Sequence, residues 1–109
     1  MQLTENAKKV LESRILRKNE EGSVIETPEE MVKRVAHAIA DNETELTNKF
    51  VWKEKFYNIM DNLYFLPNSP CLRNAGTDMG LLACFVLPIE DNMESIFGTI
   101  KDMALVQKA

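Results

Sequence analysis

The chain has 109 residues, of which 13 are basic and 17 acidic, giving a formal net charge of −4. This length suits one small domain with its own core but not a large enzyme with a cofactor site, and the acidic balance argues against a dedicated nucleic-acid binder. No apolar run is long enough to cross a membrane, and the charged N-terminal stretch lacks the apolar centre of a secretory signal. We therefore expect a cytoplasmic protein whose two cysteines are both thiols.

The first predicted elements are a helix and a turn. Thr4 can cap a helix over residues 5–17, in which apolar residues recur at helical spacing. The residues NEEGS at 19–23 predict a turn. Together with the following VIET, they indicate a small hairpin or an extended connector.

Two longer helices follow. The sequence TPEE predicts a helix start in which Thr27 caps, Pro28 takes the first position and Glu30 completes a capping box. An apolar face then continues to Ile39. A further helix over about 44–63 carries its apolar residues on two adjoining stripes, and so wide an arc predicts burial on more than one side.

The chain then changes character. The stretch FLPNSPCLRNAGTDMGLLAC contains both cysteines and is typical of a long polar loop. Residues 81–89 are apolar and partly β-branched, which predicts one strand, and Pro88 suits its end. Asp91 and Asn92 can cap a last helix whose apolar residues share one face. The predicted fold class is therefore mainly α: a small bundle of about four helices with a long polar loop and one strand.

Local chemistry alone singles out few functional residues. His37 lies on the polar side of its helix, so a solvated histidine is the better interpretation. The pattern contains no motif for a metal site. The amide, hydroxyl and glycine residues of the loop would suit a ligand, but an ordinary connection is equally compatible with them. Cys84 lies within an apolar run, which favours a buried, inert thiol.

Longer blocks of the sequence resemble a known family. The segments FLPNSPCLRNAG and LLACFVLPIEDNMESIFGTIKDMALVQK are similar to the N-terminal region of the large catalytic subunit of ribonucleotide reductase. The similarity is greatest to the adenosylcobalamin-dependent class II enzymes, and class I stays open. Residues 3–40 also resemble the helical N-terminal domain of the family, so the resemblance extends over nearly the whole chain.

The resemblance implies roles for the loop and for the predicted strand. In the family, the serine of the NSP motif contacts the bound ribonucleotide, and this position is Ser69. Ala83 and Cys84 would line the same substrate site. The Cys84 thiol would be one of two that reduce the ribose, removing its 2′-hydroxyl as water and closing to a disulfide. The family's partner thiol lies much further along the chain, so Cys71 has no implied role.

The resemblance also implies ligands and partners. Asp91 and Met93 correspond to the start of the family's specificity site, where a deoxynucleotide effector regulates the enzyme allosterically. Adenosylcobalamin would be the cofactor of the full enzyme, and none is expected to bind this chain alone. The partners would be the remainder of the reductase chain, a ribonucleoside di- or triphosphate and a second copy of the chain. Leu82 departs from the pattern, because the family commonly has a serine there.

These expectations divide the chain into a helical N-terminal domain at 1–66 and a second part at 67–109. The second part would hold the substrate loop, the first barrel strand and the helix after it. The first hypothesis is an N-terminal part of ribonucleotide reductase, inactive alone, which in the full enzyme makes deoxyribonucleotides for DNA synthesis. The second is a non-enzymatic helical interaction module that binds reductase subunits. The third is a small redox protein that forms a disulfide between Cys71 and Cys84.

Overall fold

The chain folds into five α-helices without a β-sheet. The computed structural model describes all 109 residues. Its helices, in chain order, are α1 Glu5–Arg14, α2 Pro28–Ala40, α3 Leu46–Asp61, α4 Ser69–Asn74 and α5 Met93–Lys108. The mainly α class is confirmed, with one helix more than expected. The predicted hairpin after α1 is reduced to a single antiparallel bridge between Lys18 and Val24, and none of the helices is long and apolar enough to cross a membrane.

Side-chain caps determine where the first two helices begin. The Thr4 hydroxyl oxygen accepts from the Ala7 N–H at 3.2 Å, as predicted for the cap of α1. At α2, the Thr27 hydroxyl oxygen accepts from the Glu30 N–H at 3.2 Å, and the Glu30 carboxylate accepts from the Thr27 N–H at 2.8 Å. The predicted capping box is confirmed, and it satisfies backbone donors that a helix start leaves without partners.

Helix α1 ends at Arg14, earlier than predicted, because the chain turns inward. The Leu16 N–H donates to the Leu11 carbonyl at 2.8 Å, and the Leu16 side chain enters the core with only 5% of its surface exposed. Further on, the Ile25 N–H donates to the Arg17 carbonyl at 2.9 Å. The segment between α1 and α2 therefore folds back, so that its end lies beside its start just before α2 begins.

Helix α2 forms the centre of the core. Its buried side chains recur at helical spacing and form one continuous face: Met31, Val32, Val35, Ala36 and Ala40. Helix α3 packs along α2, and α4 packs against α2 over a shorter length. The same cluster takes in residues from the other elements: Leu16, Met60, Cys71, Leu72 and Ala75. Burial of each large apolar side chain stabilises such a core by ~1.5–3 kcal/mol.

Helix α3 is covered on one side only. The two apolar stripes predicted burial on more than one side, but Met60 is the sole buried residue of the helix. Large apolar side chains of the helix nevertheless remain exposed, among them Leu46 at 69% and Phe50 at 62%. No other element covers them, because α4 packs on α2 and α5 has no buried residue. Helix α3 thus keeps large apolar side chains exposed in this chain.

The predicted strand at 81–89 is not formed, and this part of the prediction is corrected. No backbone-to-backbone hydrogen bond involves these residues. A strand requires a hydrogen-bonded neighbour, and no other part of this chain forms one. The segment instead runs exposed to α5, where the Thr99 hydroxyl donates to the Pro88 carbonyl at 2.8 Å.

Replacement of Thr27 by alanine should weaken the start of α2. The substitution removes the side-chain acceptor for the Glu30 N–H, and loss of such a cap costs about 1 kcal/mol. We expect the free energy of unfolding of Thr27→Ala, measured by urea titration with circular dichroism, to fall by that amount. Thr27→Ser retains the oxygen and is the matched control. Equal losses in the two variants would show that the cap does not stabilise the helix.

Candidate functional site

The polar stretch that follows α3 begins with a short helix that the sequence analysis missed. Ser69 and Pro70 form the first turn of α4, where the missing N–H of proline costs no hydrogen bond. Asn68, at the cap position, has extended backbone. The available signal was the sequence NSP itself, since asparagine before a serine–proline pair is typical of a helix start. Ser69 is exposed at this end of α4.

The other side of α4 is buried in the core. Cys71, Leu72 and Ala75 are all less than a tenth exposed and belong to the cluster around α2. A six-residue helix is too short to be stable by itself, so this packing must hold it. The helix therefore joins the polar stretch to the core through one face and leaves Ser69 in solvent on the other.

Beyond α4 the chain forms a compact turn. Gly76 has a positive φ of 83°, a conformation that glycine adopts without strain. The Asn74 side-chain amide donates to the Gly80 carbonyl at 2.7 Å, and the Thr77 hydroxyl donates to the Asn74 carbonyl at 2.7 Å. The Met79 N–H donates to the Thr77 hydroxyl oxygen at 3.1 Å. These bonds close residues 74–80 on themselves.

A buried ion pair joins this region to α2. The Arg34 guanidinium donates twice to Glu26, from Nε to Oε1 at 2.6 Å and from Nη2 to Oε2 at 2.9 Å. It also donates to the Ala75 carbonyl at 2.9 Å and to the Leu72 carbonyl at 3.0 Å. The Arg17 N–H adds a bond to Glu26 Oε2 at 3.2 Å. The side chains of this Glu26–Arg34 pair are only 6% and 10% exposed.

The Glu26 carboxyl group is ionised although it is buried. Burial by itself would raise the pKa of Glu26, but the hydrogen bonds from the Arg34 side chain and the Arg17 N–H, with the charges of both arginines, lower it below its ordinary 4.5. This pair was not predicted from the sequence. The one available signal was that Arg34 lies beside the apolar face of α2, three residues after Met31, where a charge needs a partner.

The Glu26–Arg34 pair should make stability depend on pH. Because folding lowers the pKa of Glu26, its contribution is fully present above about pH 4.5 and is lost as the pH falls through the lower folded-state pKa. We expect Glu26→Gln to be less stable than the wild type by about 2 kcal/mol at neutral pH, with the difference shrinking below pH 4.5. Urea unfolding at a series of pH values measures this, with exposed Glu12→Gln as the control. A difference that does not change with pH would contradict the assignment.

Ala83 and Cys84 lie in the exposed segment 81–89. The Cys84 thiol is free and exposed, which corrects the expectation from the apolar run that it would be buried. Its apolar neighbours are exposed as well, and Val86 reaches 97%. Exposure of the thiol follows from the missing strand partners, because no neighbouring strand in this chain covers residues 82–86. No hydrogen bond links Ser69 to Cys84 in the isolated chain.

The predicted effector residues lie at the start of α5. The Asn92 side-chain oxygen accepts from the Ser95 N–H at 2.8 Å, which confirms the predicted cap. Asp91 precedes this cap and Met93 opens the helix, and both are exposed. The segment before α5 is tied to it by the Glu90 N–H, which donates to the Ser95 hydroxyl oxygen at 2.8 Å. His37, as predicted, is exposed on α2.

The two free thiols differ in their surroundings. Cys71 is buried in α4, and burial raises the pKa of its thiol, an effect that the nearby Arg34 charge partly offsets. Cys84 is open to solvent. Thiolates, not thiols, react with alkylating reagents, so burial and a raised pKa both slow the reaction at Cys71.

The cysteines should therefore react in two stages. We expect iodoacetamide at neutral pH to modify Cys84 first and Cys71 only slowly, until urea unfolds the chain. Mass spectrometry should then show one modified thiol in the native protein and two in the unfolded protein. The hypothesis of a small redox protein predicts instead a reversible disulfide between Cys71 and Cys84, and two free thiols after mild oxidation would eliminate it.

Comparison with known proteins assigns this all-α unit to a class. The family model described as the ribonucleotide reductase, all-alpha domain matches residues 1–80. A vitamin B12-dependent ribonucleoside-diphosphate reductase of Mycobacterium tuberculosis is 46% identical over 103 residues, which cover 92% of this chain and 15% of the relative. A protein of the same name from Thermoplasma acidophilum is 33% identical over an alignment of 167 residues, which covers 100% of this chain and 22% of the relative.

The similarity extends to relatives not named for vitamin B12. Ribonucleoside-diphosphate reductase large chain 2 of Saccharomyces cerevisiae is 37% identical over 98 residues, covering 88% of this chain and 10% of the relative. The chain therefore belongs to the ribonucleotide reductase large-subunit family, in which it forms the all-α domain. It spans between 10% and 22% of the length of these three relatives. The family expected from the sequence is confirmed, including the similarity to the B12-dependent enzymes.

Proposed function

We propose that this chain acts within a B12-dependent ribonucleotide reductase, where it provides the substrate loop and one of two reducing thiols. Cys84 and a second thiol from the remainder of the enzyme would be oxidised to a disulfide. The two thiols release two electrons and two protons, which convert the 2′-hydroxyl of the ribonucleotide into a C–H bond and one water. By itself the chain would carry out no reduction, because half of the dithiol belongs to the remainder of the enzyme.

The observation that carries this proposal is an exposed free thiol on an unpaired apolar segment. Cys84 lies among large apolar side chains that no part of the chain covers, including Leu82, Phe85 and Ile89. Contiguous exposed apolar surface in a soluble protein marks a site that a partner covers. The apolar run also suits a strand buried between parallel neighbours. Both features support insertion of the segment into the barrel of the complete enzyme, with Cys84 facing the substrate.

The substrate side of the proposal rests on the polar loop. Ser69 is exposed at the start of α4, and its hydroxyl group makes no hydrogen bond within the chain. Ser69 would contact the ribonucleotide, with Ala83 beside Cys84 lining the same site. The relatives are named for ribonucleoside diphosphates, which supports a diphosphate substrate. Residues 67–109 would thus form the substrate loop, first strand and following helix, supported by the helical domain at 1–66.

The regulatory and cofactor assignments extend the same proposal. Asp91 and Met93, both exposed at the start of α5, would contact a deoxynucleotide effector near a second copy of the chain.

Adenosylcobalamin, which initiates radical chemistry when bound, would be the cofactor, as the names of two relatives suggest. We assign none of the residues of this chain to that group. Two free thiols suit the reducing cytoplasm.

A non-enzymatic interaction module is the second candidate, and the exposed apolar side chains of α3 favour it. Leu46 and Phe50 are exposed, and apolar patches of this kind bind protein partners. As such a module, the chain would bind reductase subunits without contributing a thiol. The two candidates therefore differ in what they predict for Cys84.

The test is ribonucleotide reduction by the complete reductase that includes this chain, assayed with adenosylcobalamin and a dithiol. Serine cannot form a disulfide, so we expect Cys84→Ser to abolish turnover. Cys71→Ala is the control, because Cys71 is the other thiol of the chain and has no proposed redox role, and this variant should retain turnover.

Association must be measured alongside activity. Sedimentation of Cys84→Ser with the remainder of the enzyme should show an unchanged complex, so that lost turnover reports lost chemistry. Full activity of Cys84→Ser would exclude the proposed redox role and favour the interaction module.

A further inference from the structure

The Glu26–Arg34 pair does more than close the core around α2. Only two of the four hydrogen bonds from Arg34 go to Glu26, and the other two reach the carbonyls of Leu72 and Ala75. These carbonyls belong to the last turn of α4 and the residue that ends it, where a helix leaves acceptors without partners and favours a positive charge. Arg34 therefore acts as the C-terminal cap of α4, supplied from another helix.

Apolar packing by itself would hold α4 against α2 without fixing its position. The hydrophobic effect is not directional, and the buried residues Cys71 and Leu72 permit small rotations and shifts of a helix this short. Two hydrogen bonds from a planar guanidinium that is itself held by a carboxylate do have direction. They determine where α4 ends and how it is turned, and hence where Ser69 lies at its other end.

The turn after α4 lies against the same arginine. A β-carbon on Gly76 would be 3.5 Å from Arg17 Nη2 and 3.6 Å from Arg34 Cγ, so the backbone passes directly over these side chains. The positive φ of Gly76 sets the direction in which the chain leaves for Cys84. The Glu26–Arg34 pair is thus in contact with both the end of α4 and the start of the loop that follows.

We propose that the Glu26–Arg34 pair is a positioning device for the substrate loop, with Arg34 as a positioning residue that sets ribonucleotide affinity without touching the ribonucleotide. The inference rests on the proposed function, in which Ser69 contacts the substrate. It assigns to α2, a helix with no substrate contact of its own, control over the loop that binds the substrate.

The first experiment measures the position of α4 directly. In the full chain, the alkylation rate of Cys71 by iodoacetamide reports how often α4 leaves the core, and peptide mapping separates it from Cys84. We expect Arg34→Met to raise the Cys71 rate about tenfold, the size that lost hydrogen bonds to a charged group produce. Loss of the Arg34 charge raises the pKa of Cys71, which would slow alkylation, so a faster rate reports exposure.

Two controls accompany this measurement. Lys33→Met removes a neighbouring charge on α2 that is paired with exposed Glu29 and makes no hydrogen bond to α4 or to the turn after it, so its Cys71 rate should equal that of the wild type. The Cys84 rate is an internal control that should not change in any variant. Should Arg34→Met itself lose the fold by circular dichroism, Glu26→Gln, which keeps the shape of the side chain, should raise the rate in the same direction. A Cys71 rate equal to that of Lys33→Met would overturn the proposal.

The second experiment separates positioning from general stability. In the complete reductase, we expect Arg34→Met to raise KM for the ribonucleotide about tenfold, while kcat and the half-saturating effector concentration stay unchanged. Arg34→Lys retains the charge but lacks the planar guanidinium that donates several hydrogen bonds at once. Its KM should therefore lie between that of the wild type and that of Arg34→Met. A fall in kcat with unchanged KM, or an equal loss of effector binding, would overturn the positioning role.

The failure of this inference can be distinguished from failure of the proposed function. An inactive wild-type enzyme, or full activity of Cys84→Ser, would reject the proposed function and with it the link to substrate affinity. The Cys71 rate decides independently whether the pair holds α4. Normal catalysis with an unchanged Cys71 rate in Arg34→Met would reject the positioning role alone.

Discussion

The arrangement of the helical core depends on one buried charge pair. Transfer of a carboxylate and a guanidinium from water is costly, and the cost is recovered only when the geometry is good and every polar atom has a partner. The Glu26–Arg34 pair meets this condition, and no buried side-chain nitrogen or oxygen in the chain lacks a hydrogen bond. The partners come from the connector, from α2 and from α4, so one interaction ties together segments that are distant in sequence.

The remaining apolar surface is distributed unevenly. The buried cluster is concentrated around α2, whereas the outer side of α3, the segment 81–89 and the whole of α5 contribute almost nothing to it. This asymmetry is understandable in a chain that spans at most 22% of the relatives compared with it. Surfaces that look unfinished in a small domain are the surfaces through which a larger protein would contact it.

The sequence predicted those features that depend on neighbouring residues. The capping box at Thr27, the cap at Asn92 and the apolar face of α2 arise from spacings of three and four residues, and all were confirmed. The predicted strand at 81–89 does not form in this chain, because its formation depends on neighbours that this chain does not provide. The contact between Arg34 and the end of α4 spans about 40 positions, and no local pattern predicts such a pairing. The roles proposed for Ser69 and Cys84 came from family resemblance rather than from local chemistry.

The compact turn at residues 74–80 has a consequence for how the sequence can evolve. The Asn74 amide completes a turn at Gly80, and beyond that point no residue is fully buried. Substitutions up to the turn are therefore constrained by packing within the chain, whereas those after it affect surfaces that only a partner would cover. The two parts can accumulate mutations under separate selective pressures, and compensating changes for the second part would arise in whichever protein surface covers it.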